Sequence, residues 1–92
     1  MRTLHIDLET FSDIDITKAG LYRYVQSPAF EILLFAYSYD YEPVRIVDLA
    51  AGEQIPAGIV RDLNDPNVKK TAHNAAFEIN CLKRFFSTEI YQ

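Results

Sequence analysis

At 92 residues, with 13 acids against nine bases and a formal charge of −4, the chain is too short for more than one domain and lacks the basic excess that grips duplex DNA by its phosphates. Its 49% apolar content, with six Phe and six Tyr, supports a globular core and argues against disorder. No apolar run approaches a membrane span, no secretory pattern opens the chain, and the lone Cys81 excludes an internal disulfide or a cysteine-rich zinc site, so a cytoplasmic protein is the expectation.

Residues 2–8 read as a first strand, because Leu4, Ile6 and Leu8 alternate with polar positions and no breaker intervenes. A polar loop, FSDIDI, follows. Asp15 is placed to cap a helix over 16–25 with Leu21, Tyr24 and Val25 on one face; Gly20 weakens it and Pro28 ends it. Residues 30–39 are apolar or aromatic on both faces, as suits an interior strand. A short turn at 40–43 containing Pro43 predicts an antiparallel hairpin to a strand over 44–49.

Gly52, Pro56 and Gly58 mark a loop, 57–64 a weak helix, and Asn64-Asp65-Pro66 a turn before a short fourth strand over 68–72. The connection at 50–67 is long enough for a crossover, so strands three and four are expected to run parallel. The last element is a helix over 75–86 with Asn74 as N-cap, Phe77, Cys81 and Phe85 on one stripe and Ile79, Leu82 and Phe86 on the next. There is no internal repeat or linker, and 1–92 reads as one unit.

The chemistry concentrates at Asp7-x-Glu9. Carboxylates two apart on a strand share a face; about 6 Å apart, they repel by roughly 2.8 kcal/mol at an effective dielectric of about 20 and by roughly 0.7 in water. Burial therefore decides between a solvated face shared with Thr3 and His5 and a pair that needs a cation. Glu78, in the first turn of the last helix, is the second candidate. If strands one and four are neighbours, all three acids converge where the strands end, the usual ligand position in alpha/beta sheets. The plainer role for Glu78 is stabilising the helix N-terminus, since a reciprocal capping acid would sit at Phe77.

LHIDLETFSD and the later AHNAAFE together resemble the first two motifs of the DEDD exonucleases, specifically the proofreading 3′ to 5′ exonuclease domain of family A DNA polymerases. The intervening GLYRYVQSPAFEILLFAYSYD is similar to the phage-type members. This resemblance implies an α/β fold of the ribonuclease H-like type: an antiparallel meander of three strands, a crossover helix, a fourth strand parallel to the first, and a closing helix. The residues alone also allow the helix at 16–25 to be a parallel crossover. The resemblance further implies that Asp7, Glu9 and Glu78 are catalytic acids holding two divalent cations, Mg2+ or Mn2+, with Asp7 shared. Those cations activate water and stabilise the leaving oxygen. Thr10 and Asn74 match positions that bind the terminal nucleotide, so the implied partner is the 3′ end of single-stranded DNA.

Two departures stand out. Glu78 occupies a position where aspartate is usual, a methylene longer, although the phage-type members use glutamate. The third motif, a Tyr or His followed by Asp, is missing after the last helix, as are a further strand and helix. The chain thus reads as the N-terminal part of such a domain, inactive alone, completed by the missing C-terminal part or by the polymerase. An alternative is a non-catalytic module whose open sheet edge recruits a strand, for instance as a homodimer.

The remaining candidates read as structural. His5 and His73 fit supporting roles, Asp13 and Asp15 loop and cap positions, and Cys81 a small buried apolar residue. Lys69-Lys70 and Lys83-Arg84 fit solvated surface charge, and Phe35, Tyr37, Tyr39 and Tyr41, alternating on one strand face, fit core packing with hydroxyls at the rim.

Overall fold

The computed structural model describes residues 2–72 and 74–86, so His73 lies outside the described residues. Strand β1 (Thr3–Phe11) leads through two short helices, α1 (Ile16–Ala19) and α2 (Leu21–Gln26), to β2 (Glu31–Tyr39). Strand β3 (Arg45–Asp48) and a 3-10 turn at Leu49–Ala51 precede α3 (Ala57–Leu63), β4 (Lys69–Ala72) and α4 (Ala75–Phe85). Among the described residues the strands form one mixed sheet in the order β3-β2-β1-β4. β1 and β3 each pair antiparallel with β2, and β4 pairs parallel with β1. This arrangement is compatible with a ribonuclease H-like fold, and the antiparallel start is borne out.

Period two governs the core. Leu4, Ile6 and Leu8 on β1 stand opposite Tyr39, Tyr37 and Phe35 on β2, and all six are buried. Val25 from α2, Ile59 from α3 and Cys81 from α4 close over them, which accounts for each helix's apolar stripe. The opposite face carries His5, Asp7 and Glu9 against Ser38, Ala36 and Leu34.

Several expectations need correction. β1 runs three residues beyond Leu8, because its pairing to β2 continues through a slip in register between Glu9 and Thr10. The helix over 16–25 is two helices, split where Gly20 takes φ 89°. Tyr41 lies past the end of β2 and is fully exposed, so it is not part of the aromatic stripe. On α4 the buried line is Glu78 and Cys81, whereas Ile79 and Phe85 face outward. β4 begins at Lys69, after a turn in which the Val68 amide donates to the Asp65 carbonyl.

Candidate functional site

Asp7 and Glu9 alternate outward from β1 and are exposed, as the sequence pattern requires. Asp7 stands opposite Ala36, and the small side chains of Ala36 and Ser38 leave a shallow hollow of about 100 Å³ bordered by Asp7 and His5. His5 is tied by Nδ1 to the Thr71 hydroxyl, a bond that links β1 to β4 and gives this histidine a structural partner. Glu9 is the last residue before the register slip, and Thr10, next in the strand's alternation, lies on the same face as Leu8, opposite Ile32.

Glu78 is drawn to this place by the end of β4. The β1–β4 ladder stops at the pair Ile6 and Ala72, and the chain then turns into α4 at the N-cap Asn74. Asn74 Oδ1 accepts from the Phe77 amide at 3.3 Å, and Glu78 Oε1 accepts from the Asn74 amide at 3.2 Å. A reciprocal cap therefore exists one position later than the usual spacing, because glutamate reaches back a full turn. Glu78 thus has a structural task that the sequence pattern assigned to position 77.

The capping glutamate is nonetheless only 3% exposed. Burial pushes its carboxyl above the ordinary range and the negative charge of Asp7 adds to the rise, while the backbone amides of Asn74, Glu78 and Leu8 favour the ionised form. Asp7 and Glu78 are therefore neighbours where β1 outruns β4. Among the described residues no group of three or more His, Cys, Asp or Glu side chains is arranged to hold a metal ion. The donor set still suits a hard cation: Mg2+ keeps several waters and is commonly held by one or two carboxylates.

The other groups sort plainly. Asp15 caps α1 by accepting from the Thr17 amide at 3.0 Å, Ser27 donates to Asp13, and the Lys70 ammonium donates to the Asp65 carbonyl. Cys81 is fully buried and unpaired with another cysteine. A contact the sequence pattern did not expose joins Thr10 to Tyr24, hydroxyl to hydroxyl at 2.9 Å. The only available signal was a tyrosine on an apolar helix face, whose hydroxyl needs a partner when covered.

No family model matches the chain, and no solved structure matches it. Over 87 residues it is 51% identical to the DNA polymerase of Bacillus phage SP02. That match covers 95% of this chain but only 13% of the polymerase. The chain is thus closely similar to a short stretch of a phage DNA polymerase. No helix among the described residues is long and apolar enough to cross a membrane.

Proposed function

We propose that these residues form part of a metal-dependent 3′ to 5′ DNA exonuclease site, of the proofreading kind, in a protein related to DNA polymerases. The observation that carries this reading is the buried carboxyl of Glu78 set against Asp7 where the parallel strands β1 and β4 end. Burying one acid beside another opposes folding, and such arrangements cluster where a cation or a reaction needs them. The similarity to a phage DNA polymerase over 95% of the chain supports a role on nucleic acid.

In this reading Asp7 and Glu78, with Glu9 two residues along on the same strand face as Asp7, would hold two divalent cations, Mg2+ or Mn2+, which would supply activated water and stabilise the leaving oxygen. The chain's own work is positioning. Asp7 offers an exposed charge, whereas Glu78 is held in place by the Asn74 amide. Asn74 spends its side-chain oxygen on the cap, which leaves its amide N–H donors for the terminal nucleotide of a single strand.

Calorimetric titration of Mn2+ into the 92-residue chain tests the reading. Binding should be abolished by Asp7→Asn and weakened roughly tenfold or more by Glu78→Gln. Identical isotherms for all three proteins would refute it. With three acids of the four-acid pattern in these residues, the chain alone should bind cations and leave single-stranded DNA intact; cleavage abolished by Asp7→Ala would show that three suffice.

The sheet edges favour a second reading of a different class. Among the described residues β4 pairs on one side only, so a strand from a second copy or another chain could add there. Light scattering at high protein concentration decides it: a strict monomer excludes the homodimer.

A further inference from the structure

We propose that Tyr24 is a positioning residue joining the two halves of the candidate site, its hydroxyl holding Thr10 at the end of β1 and its ring bracing Phe77 in the first turn of α4. The inference rests on the exonuclease reading and names how the DNA-end side of that site is kept in place.

The end of β1 is where the sheet holds it least. Beyond Ile6 the strand has lost β4, and beyond Glu9 its register against β2 slips. Side-chain bonds from α2 take over: the Tyr24 hydroxyl lies 2.9 Å from the Thr10 hydroxyl, and the Ser12 hydroxyl donates to the Tyr24 carbonyl at 2.8 Å. The same ring meets Phe30 edge-on at 5.9 Å and Phe77 at 6.1 Å between centroids. Phe77 lies between Asn74 and Glu78 in sequence, and its amide is the one Asn74 caps. One half-buried side chain on α2 therefore contacts the turn that carries the second-motif residues and the strand end that carries Thr10. Packing alone would be served by phenylalanine, because a covered hydroxyl is unfavourable unless it finds a partner. The partner it has here is Thr10.

The test separates hydroxyl from ring in the full 92-residue chain. Tyr24→Phe keeps the contacts to Phe30 and Phe77 and removes the bond to Thr10; Tyr24→Leu removes both. Fluorescence anisotropy of a short 5′-labelled oligothymidylate with a free 3′-hydroxyl, in Ca2+, reads binding of the DNA end. Mn2+ calorimetry reads the acids. Tyr24→Phe should weaken oligonucleotide binding about threefold to tenfold, the worth of one hydrogen bond, with Mn2+ affinity unchanged. Thr10→Val should give at least the same loss, and the double variant no larger a loss than Thr10→Val alone. Tyr24→Leu should also lower Mn2+ affinity; if it fails to fold, Tyr24→Phe and Thr10→Val decide the matter.

Equal oligonucleotide affinity in wild type and Tyr24→Phe overturns the positioning role while the metal site stands. So do losses that simply add in the double variant. If Asp7→Asn leaves Mn2+ and oligonucleotide binding at wild-type values, or wild type binds neither, the exonuclease reading fails and the role of Tyr24 falls with it.

Discussion

At Glu78 two demands on one carboxyl pull in opposite directions. Its cap to the Asn74 amide favours the ionised form, whereas burial and the neighbouring Asp7 favour the protonated one, and the second pair prevails. The folded chain therefore holds this proton more tightly than the unfolded chain, whose ordinary value is 4.5. Stability from this group is full below about pH 4.5 and is lost as pH rises through the higher folded value. In metal-free buffer the melting temperature of wild type relative to Glu78→Gln should accordingly fall as pH climbs from 4.5, followed by circular dichroism. A difference independent of pH would mean that Glu78 titrates as an ordinary surface acid. Asp7→Asn gives a second prediction of opposite signs: without metal it relieves repulsion and raises stability by up to about 1 kcal/mol, yet it erases any stabilisation by Mn2+. An acid kept only for structure would show a loss in the first measurement. The outward face of Asp7 and Glu9 was legible in the sequence because strand alternation is rigid. The burial of Glu78 was not, because a helical stripe counted from apolar residues passes over a glutamate that lies with Cys81 on the inner line.

The connection from β1 to β2 turns on a single backbone conformation. Gly20 ends α1 and caps α2 with φ 89° and ψ 166°, a region that residues with a Cβ rarely enter. A Cβ built there meets nothing within 4 Å, so the obstacle is the backbone rather than crowding. Gly20→Ala should therefore destabilise the chain by roughly 1–3 kcal/mol in urea unfolding. It should also weaken oligonucleotide binding, because α2 carries Tyr24. Unchanged stability would show that residues 16–26 can form one continuous helix after all. The sequence marked Gly20 as a weak point, but a lone glycine within a helical pattern reads equally as tolerated or as a break. The register slip in β1 was not legible, since the extra residue, Leu33, lies on β2 within an unbroken apolar run.

Across the whole molecule, connection lengths made the short hairpin from β2 to β3 and the long crossover carrying α3 legible, whereas the antiparallel start rested on the resemblance and the place of β4 beside β1 was left open. What the pattern could not reveal is the tie that closes the far end of the sheet. The Arg2 guanidinium stacks on the Tyr39 ring at 3.8 Å, the Tyr39 hydroxyl donates to Asp62, and Arg2 pairs with the same carboxylate at 4.0 Å. The start of β1, the end of β2 and α3 thus meet at one buried phenol, a set of partners separated widely in sequence. Burial, then the hydrogen bond and charge of Asp62, push Tyr39 from 10.0 up to about 12, with Arg2 opposing. For a raised pKa the stabilising contribution is full below pH 10.0 and is lost as pH rises through about 12. That rise corresponds to at most roughly 2–3 kcal/mol, a sizeable share of the roughly 5–14 kcal/mol typical for this length. Tyr39→Phe keeps the ring beneath Arg2 but leaves the Asp62 carboxylate only its pairing with Arg2, so it should lower stability at neutral pH by about 1–2 kcal/mol. Its denaturant midpoint should then fall less steeply than that of wild type between pH 10 and 12, bringing the two proteins together at the alkaline end. The slope that remains belongs in part to Cys81, whose thiol burial and the charge of Glu78 also push up to about 12. Parallel curves for the two proteins would show that Tyr39 ionises as freely folded as unfolded, and that this tie does not hold the sheet to α3.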